Sequence, residues 1–600
     1  MLSNQPSIVY GPSAPIPVSM TFGDLLSYHA QHRPDNHAII SHHQNIRLTY
    51  SQLEERSTSL AKAFSSYNVS RGDTVAIMLG SRTEYIETFF ACAKLGASLV
   101  LLNFAFVLEE IVDTLTPIAP KLLVMTPSFG KFQYENILLK LSKMLPSLQA
   151  VVLVDPYKLK AQSLGDKMVS YEVLLKQNFA TSLPGNVSPH DIVNIQFTSG
   201  STGTPKAAAL SHYNIMNCGK NISAQMSISD KDRVCLPVPL FHSFGLIIGI
   251  CTSTWSGSTI VFPSETFDAD AVLKCIEGYR CTGIYGVTTM FIEEMKNPKF
   301  ACTDRSSLKL DFCPITLVDL LKLTRTRFGI MAGSAMPQDL LEKVATSFPV
   351  PRLYTNWGMT ELSSITTMTH HSDPTPNRLH TAGRLFPNFI GKIVEPNTGR
   401  VLPWGQKGEI VISGYGVMGG GYLRNPSKTA EAMRQHVEDL EPHGVGPVDS
   451  EGNLRTWMHT GDEGYFDKDG YFVITGRIKD IIIRGGENIS PVEIEARLSS
   501  HGAIVQASVV GVPNARLGEE IAAFVELTNG HAKPTDEELQ KWVRASLSRF
   551  KTPKHFWWIG SPQHGVPREW PKTASGKLRK PDLREVAKEL LEEVPERARL

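Results

Sequence analysis

Short apolar runs alternate with segments of helical periodicity in the first third of the chain. The runs of strand length are residues 73–79, 98–102, 121–125 and 148–154. Two segments, residues 51–64 and 84–94, have the spacing of amphipathic helices, and Gly96 marks the end of the second. This alternation predicts parallel sheets covered by helices.

The pattern changes towards the end of the chain. Residues 492–498 and 536–547 have helical spacing, whereas residues 504–512 and 521–527 are apolar and of strand length. These four segments predict a compact α+β unit. Because 600 residues exceed what a single core sustains, we expect several domains.

Composition narrows the class of protein. The 42% hydrophobic and 20% charged residues are typical of a globular chain. A net charge of +1 gives no general reason to bind nucleic acid. The eight cysteines lack paired C-x-x-C spacing, which argues against a disulfide framework or a zinc site. Polar residues interrupt the most apolar window, residues 244–262, so we expect buried core and no transmembrane segment.

One loop, residues 197–206, carries the first candidate chemistry. It follows an apolar-alternating strand, residues 191–197, and reads Phe-Thr-Ser-Gly-Ser-Thr-Gly-Thr-Pro-Lys. Glycine amides, hydroxyls and a lysine can together hold a polyphosphate. The spacing is not that of a Walker A loop, since Pro205 precedes Lys206 and Ala207 follows it. A flexible Ser/Gly linker would have a similar composition, although linkers seldom end in Pro-Lys before an apolar segment.

This loop resembles the signature of the adenylate-forming superfamily, which includes acyl-CoA synthetases, peptide-synthetase adenylation domains and luciferases. The resemblance extends over roughly residues 20 to 590, because three further motifs follow in the family's order. It implies that the loop binds the phosphates of ATP. The residues so implied are Thr198, Ser199, Gly200, Ser201, Thr202, Gly203, Thr204 and Lys206.

The second motif is residues 354–361, Tyr-Thr-Asn-Trp-Gly-Met-Thr-Glu. An aromatic ring beside glycine can stack on a purine, and the carboxylate of Glu361 can hold Mg²⁺. The family usually has tyrosine where this chain has Trp357, so we expect stacking to survive and a phenolic hydrogen bond to be lost. By resemblance, the nucleotide site comprises Gly333, Ser334, Ala335, Asn356, Trp357, Gly358, Met359 and Thr360.

The third motif, residues 459–465, and the fourth, residues 476–491, would by the same resemblance supply the ribose and hinge contacts. A carboxylate at a glycine turn can accept from both ribose hydroxyls, and the resemblance gives Asp462 that role. It further implies that Arg477 contacts the nucleotide and that Lys479 is the hinge of a mobile C-terminal domain. By the same resemblance, the face that serves the thioester half-reaction would be Gly486, Glu487 and Asn488.

Near the end of the chain, Lys577 lies in a Ser-Gly-Lys triplet. Composition alone would favour a solvated basic tail, whereas the resemblance implies the adenylation lysine. His242, in the apolar run 239–245, would more often be a satisfied core residue, yet the resemblance favours a pocket role. The acyl pocket is expected to include His242, Tyr285 and Thr288, and the catalytic residues are expected to be Lys577, Glu361, Thr360 and His242.

These motifs predict an ATP-dependent acyl-CoA ligase with ATP, Mg²⁺ and coenzyme A as cofactor and co-substrates. The expected fold is α/β. Residues 1–477 would form a large domain of parallel-rich sheets with a distorted β-barrel subdomain, and residues 478–600 a small, mobile α+β domain. The sequence looks most similar to medium-chain fatty acyl-CoA synthetases and to fungal peroxisomal or secondary-metabolite ligases.

Two alternatives stay open at this point. One is a stand-alone adenylation enzyme that loads a carrier protein, and the other is a catalytically silent acyl or nucleotide binder. The tripeptide Ala598-Arg599-Leu600 fits the small–basic–leucine peroxisomal address, so we expect an import receptor as partner and a peroxisomal, otherwise cytoplasmic, location. Residues 437–456 read as a surface insertion without an assigned role, and the sequence does not specify the acyl acid.

Overall fold

The computed structural model describes residues 5–130, 132–159, 167–198, 205–308, 328–331, 347–348, 352–436, 455–485, 487–562, 565–572 and 578–592. Three large sheets and one smaller C-terminal sheet form its framework. The expected fold class, parallel-rich α/β with a separate small α+β unit, is confirmed.

The first sheet has seven strands, parallel except for the last pair. In spatial order they are Met168–Ser170, Ala150–Leu153, Leu122–Met125, Thr74–Met78, Ser98–Leu101, Ile192–Thr198 and Lys206–Ser211. The predicted strands 73–79, 98–102, 121–125, 148–154 and 191–197 are therefore all present, with ends shifted by one or two residues.

The second sheet also has seven strands, again parallel except for the last pair. Their order is Arg352–Tyr354, Phe328–Met331, Gly283–Gly286, Arg233–Cys235, Thr259–Phe262, His37–Ser41 and Ile46–Thr49. Helices cover these sheets because both faces of a parallel sheet are apolar and must be removed from water.

The α-helices before residue 300 are Phe22–His32, Tyr50–Ser66, Thr83–Leu95, Leu108–Leu115, Glu135–Met144, Tyr171–Lys176, His212–Met226, Thr252–Ser256, Ala269–Gly278 and Thr288–Lys296. Tyr50–Ser66 begins at a Thr49 capping box. Thr83–Leu95 ends at Gly96, whose φ of 69° is left-handed, as its glycine predicted.

The third sheet is antiparallel and is built from Ile8–Tyr10, Phe389–Val394, Gly408–Gly414, Thr456–Phe466, Met433–Gln435 and Phe472–Arg477. It corresponds to the predicted barrel subdomain. A smaller antiparallel sheet lies beside it and consists of Asn356–Trp357, Thr367–Met368 and Arg384–Leu385. The helices Thr375–His380 and Pro426–Ala432 accompany these strands.

The C-terminal sheet contains Glu487–Ile489, Ile482–Arg484, Gly518–Leu527, Ile504–Asn514 and His555–Trp558. Its helices are Pro491–Ser499, Asp536–Arg544 and Lys580–Glu592. The predicted helix 536–547 ends three residues earlier than expected, at Arg544. Thr535 caps its N-terminus, and the basic residues of its last turn interact favourably with the helix dipole.

The apolar window at residues 244–262 is buried core, as predicted. It forms the π-helix Phe244–Cys251, the α-helix Thr252–Ser256 and the strand Thr259–Phe262. Among the described helices, none is both long and apolar enough to cross a membrane.

Candidate active site

Thr198 and Lys206 face each other at the two ends of the glycine-rich loop. The strands that carry them pair antiparallel, and the register places Thr198 opposite Lys206. The side chains of Thr198 and Lys206 therefore lie on the same face of the sheet, at the point where the loop begins and ends.

Glu361 lies directly against this pair. It sits on the 3₁₀ turn Thr360–Leu362 and is only 4% exposed. Its Oε1 accepts hydrogen bonds from Thr198 Oγ1 at 3.1 Å and from the Tyr422 hydroxyl at 2.8 Å. The same hydroxyl accepts from Lys206 Nζ at 3.1 Å. Lys206 and Glu361 belong to motifs that are 155 residues apart in the sequence, and the fold brings them together at one point.

A tight turn brings Glu361 into place. A side chain at Gly358 would put its Cβ 2.2 Å from the carbonyl oxygen of Ser364, so only glycine fits there. The Ser364 amide donates to the Met359 carbonyl at 3.0 Å, and the Ser363 amide donates to the Thr360 carbonyl at 3.0 Å. Met359 and Thr360 therefore position Glu361 through their backbone.

The electrostatic setting of Lys206 is mixed. Burial lowers its pKa, the Glu361 carboxylate opposes that shift, and the positive charge of Lys479 adds to it. The hinge lysine predicted from the sequence is therefore close enough to Lys206 to lower its pKa electrostatically.

The site offers hard oxygen donors of the kind that Mg²⁺ prefers. Among the described residues, both hydrogen bonds to Glu361 fall on Oε1. The second carboxylate oxygen, Oε2, is of the type that ligates a divalent cation, so Glu361 would be the residue to hold the predicted Mg²⁺. The described residues contain no cluster of three or more His, Cys, Asp or Glu side chains that could hold a metal.

Asp462 and Arg477 form an ion pair next to Trp357 of the second motif. They are opposite each other in the register of Thr456–Phe466 and Phe472–Arg477, with Arg477 Nε 3.3 Å from Asp462 Oδ1. Trp357 Nε1 donates to Asp462 Oδ2 at 2.9 Å. The Trp357 ring also stacks on Phe472 at a centroid distance of 6.1 Å. Trp357, Asp462 and Arg477 therefore form one connected group.

The turn that presents Asp462 is itself fixed by buried groups. Glu409 Oε1 accepts from the Gly461 amide at 3.0 Å, and its Oε2 lies 2.8 Å from His459 Nδ1. The Thr460 hydroxyl accepts from the Asp462 amide at 3.1 Å. Sequence reasoning did not identify Glu409 as part of the site.

The side-chain amide nitrogen of Asn356, Nδ2, is a buried donor without a hydrogen-bond partner among the described residues. An unsatisfied buried amide costs stability unless a ligand completes it. Its position next to Trp357 fits the predicted nucleotide contact.

The predicted acyl-pocket residues lie on two neighbouring segments. His242 is half-buried, in a turn where its amide donates to the Pro239 carbonyl at 3.3 Å. Tyr285 is fully buried, and its ring lies 6.0 Å from that of Phe244. Burial raises the pKa of Tyr285, so its hydroxyl stays protonated. Thr288 begins the helix Thr288–Lys296, but its side chain lies outside the described residues.

An aromatic cluster beside His242 was not predicted. Phe241 packs edge-to-face on Phe104 at 5.1 Å, and Phe104 packs in the same way on Phe129 and Phe132. The sequence separates Phe104 from Phe241 by too many residues for any local pattern to join them. The cluster is apolar and adjoins His242 through Phe241, whose ring centroid lies 5.3 Å from that of His242.

The hinge is tied to the last helix. Lys479 lies on the 3₁₀ turn Ile478–Asp480. Arg584 Nη2, on the helix Lys580–Glu592, donates to Asp480 Oδ1 at 2.5 Å and to the Lys479 carbonyl at 3.4 Å. Glu487 and Asn488 lie on the strand Glu487–Ile489, next in the chain.

Several predicted residues lie outside the described part of the chain. They are Ser199, Gly200, Ser201, Thr202, Gly203, Thr204, Gly333, Ser334, Ala335, Gly486, Lys577, Ala598, Arg599, Leu600 and most of the insertion, residues 437–454. Their roles stay predictions of the sequence.

Two family profiles match the chain. The AMP-binding enzyme family matches residues 26–423, and the AMP-binding enzyme C-terminal domain matches residues 493–577. The chain therefore belongs to the AMP-binding enzyme family.

Relatives with assigned names extend this result. The chain is 37% identical to the acyl-CoA ligase SID4 of Ajellomyces capsulatus over 594 residues, which are 98% of this chain and 94% of SID4. It is 33% identical to the mitochondrial medium-chain acyl-CoA ligase ACSF2 of Bos taurus over 585 residues, covering 94% and 87%. The predicted enzyme class, ATP-dependent acyl-CoA ligase, is confirmed by these relatives.

A solved structure shows the same fold. The anthranilate CoA ligase AuaEII in complex with anthranoyl-AMP aligns with a TM-score of 0.79 at 21% identity, covering 96% of this chain and 99% of that one. At this identity the likeness concerns the fold alone.

Proposed function

We propose that this ligase activates a medium-chain fatty acid or a related acyl acid, with Mg²⁺ at Glu361. The observation that supports the phosphate and metal part is one hydrogen-bonded chain, in which Thr198 donates to Glu361 and the Tyr422 hydroxyl joins Glu361 to Lys206. The acyl part is supported by the aromatic cluster beside His242 and by the name of the ACSF2 relative.

In the first half-reaction a carboxylate oxygen of the acid attacks the α-phosphorus of ATP, and the bond to pyrophosphate breaks. Positioning and charge neutralisation are the main demands of such a step. Lys206 and the loop that starts at Thr198 would hold the departing phosphates, and a bound Mg²⁺ would supply further neutralisation of their charge. Lys577 would bridge the carboxylate and the α-phosphate.

The nucleoside half of ATP would be held separately. Asp462 would accept from the ribose hydroxyls while Arg477 and Trp357 keep its carboxylate in place. Asn356 Nδ2 would donate to the nucleotide, which satisfies a buried amide group.

In the second half-reaction the thiol of CoA attacks the acyl carbonyl, and AMP leaves with the bonding electrons. The C-terminal domain would turn about Lys479 between the two steps, replacing Lys577 with the face at Glu487 and Asn488. A turn at the end of an element is a usual place for such a hinge.

The acid class can be measured directly. Loss of free CoA thiol is followed with ATP, Mg²⁺ and a panel of acids from acetate to long-chain and aryl acids. We expect thiol loss that matches AMP release, with the highest kcat/KM for acids of medium chain length. Pyrophosphate release without thiol loss would instead identify a carrier-loading enzyme, and a preference for short or aryl acids would contradict the proposed acid.

The role of Lys577 needs its own variant. Lys577→Ala should lower acid-dependent ATP–pyrophosphate exchange by at least about 100-fold, since a charge that stabilises the transition state is lost. Lys572→Ala, just outside the predicted triplet, should keep the wild-type rate. Undiminished exchange in Lys577→Ala would remove that residue from the mechanism.

Import into peroxisomes through Ala598-Arg599-Leu600 stays part of this proposal.

A further inference from the structure

Tyr422 stands between the two charged groups of the phosphate site. Its hydroxyl accepts from Lys206 Nζ at 3.1 Å and donates to Glu361 Oε1 at 2.8 Å. A phenol has one proton to donate, and the carboxylate can only accept, so the direction of both hydrogen bonds follows. Lys206 and Glu361 are therefore joined through the hydroxyl and not by a direct ion pair.

Tyr422 is held rigidly by the strand that carries Lys206. The side chain is 3% exposed. Its amide donates to Thr429 Oγ1 at 2.9 Å, and the next amide, of Leu423, donates to the Ala207 carbonyl at 2.8 Å. Tyr422 also forms a β-bridge with Ala208. The backbone that carries Tyr422 is thus tied to the strand that carries Lys206.

The ring of Tyr422 adds to this arrangement. Lys206 Nζ lies 4.4 Å from the ring centroid, within the range of a cation–π contact. An ordinary phenol is neutral at neutral pH, so the Tyr422 hydroxyl donates its proton towards Glu361 Oε1.

A lysine and a carboxylate in a partly buried site attract each other strongly. A direct ion pair between Lys206 and Glu361 would have to be broken before either group could engage a polyphosphate or a metal. Breaking such a pair takes free energy from ligand binding. A hydroxyl between the two groups prevents that contact, so both stay available to a ligand.

We propose that Tyr422 is a positioning residue of the triphosphate site, a spacer that keeps Lys206 and Glu361 apart for Mg²⁺-ATP. This inference rests on the proposed phosphate and metal roles of those two residues. Tyr422 would affect the binding of the β- and γ-phosphates of ATP. The ribose, which AMP shares, would be bound by Asp462 and its neighbours.

The test compares the affinity for two nucleotides, measured by calorimetry without the acid or CoA. Tyr422→Phe removes only the hydroxyl. We expect it to bind Mg²⁺-ATP about tenfold or more weakly than the wild type, in line with the loss of hydrogen bonds to charged groups, while AMP affinity changes less than about twofold. Tyr415→Phe is the matched control, since its buried hydroxyl accepts from Asn221 Nδ2 at 2.7 Å, away from the phosphate loop.

Two results would overturn the inference. The first is unchanged Mg²⁺-ATP affinity in Tyr422→Phe, and the second is an equal loss for Mg²⁺-ATP and AMP, which would indicate a general structural role. Failure of the wild type to bind Mg²⁺-ATP would contradict the proposed function itself, so the two failures can be told apart.

A double-mutant cycle with Glu361→Gln covers the case in which a single variant is hard to interpret. If Tyr422 acts through Glu361, its effect on Mg²⁺-ATP affinity should shrink to about threefold or less in the Glu361→Gln background. Fully additive effects would contradict the spacer role.

Discussion

The indole Nε1 of Trp357 donates a hydrogen bond of 2.9 Å to Asp462 Oδ2, across 105 residues of sequence. The family usually has tyrosine at this position, and we expected the substitution to lose a phenolic hydrogen bond. The structure shows that the indole supplies a donor of its own. It is directed at the carboxylate that is expected to bind the ribose.

Trp357→Phe therefore removes the donor and keeps an aromatic ring. We expect the affinities for ATP and AMP to fall together, by about tenfold, because the hydrogen bond goes to a charged group at the part that both nucleotides share. Equilibrium binding of both nucleotides checks this. Trp404→Phe removes a similar bond, from Nε1 to the Asp467 carbonyl at 3.0 Å, and should leave both affinities unchanged.

Glu409→Gln should act through the turn at Gly461. The carboxylate accepts from the Gly461 amide and from His459, and a carboxamide can offer only one acceptor oxygen to those two donors. We expect ATP and AMP affinities to fall by a similar factor, about fivefold, with kcat nearly unchanged. An effect on kcat alone would contradict a role in placing Asp462. Glu395→Gln, at an exposed pair with Arg400, is the control.

Gly245→Ala should disturb the segment that carries His242. A Cβ at Gly245 would lie 2.2 Å from the Pro239 carbonyl oxygen, so the backbone must move, at a cost of about 1–3 kcal/mol. We predict a rise in KM for the acid and little change in nucleotide affinity, measured by steady-state kinetics. Gly278→Ala, which would project into open space, should behave as the wild type. A normal KM for the acid in Gly245→Ala would contradict a role of this segment in the acyl pocket.

Stability should depend on pH through His212. Burial lowers the pKa of His212 to about 4, and the Phe22 amide donates to its Nδ1 at 3.1 Å, so the folded protein holds the neutral ring. The unfolded chain takes up the proton below its ordinary pKa of 6.5. The unfolding free energy should therefore be constant above that pH and fall as the pH drops towards 4, by at most about 1.4 kcal/mol per pH unit for this group.

His212→Asn keeps a hydrogen-bond acceptor and removes the titration. Its urea midpoint should fall less steeply between pH 6.5 and 4.5 than that of the wild type, as followed by tryptophan fluorescence. Identical slopes would mean that other groups dominate, such as His29, whose pKa burial also lowers to about 4.

Local patterns predicted five strands of the first sheet, two of its helices and part of the C-terminal unit. Strand and helix periodicities are set by which side of an element faces the core, and that requirement is visible in a few residues. The stretches 73–79 and 84–94 accordingly became Thr74–Met78 and Thr83–Leu95. Their ends differ from the predicted ones by one residue, because capping and tertiary contacts decide where an element stops.

The sequence by itself identified the candidate groups of the site: a lysine after a glycine-rich loop, a carboxylate after Gly358, and another at a glycine turn. Only the tertiary structure decided which of them touch. Tyr422 and Glu409 were missed because a tyrosine or glutamate in an apolar stretch carries no local sign of its partner. Such contacts arise when distant strands pack, and the strength of a hydrogen bond depends on that final geometry and burial.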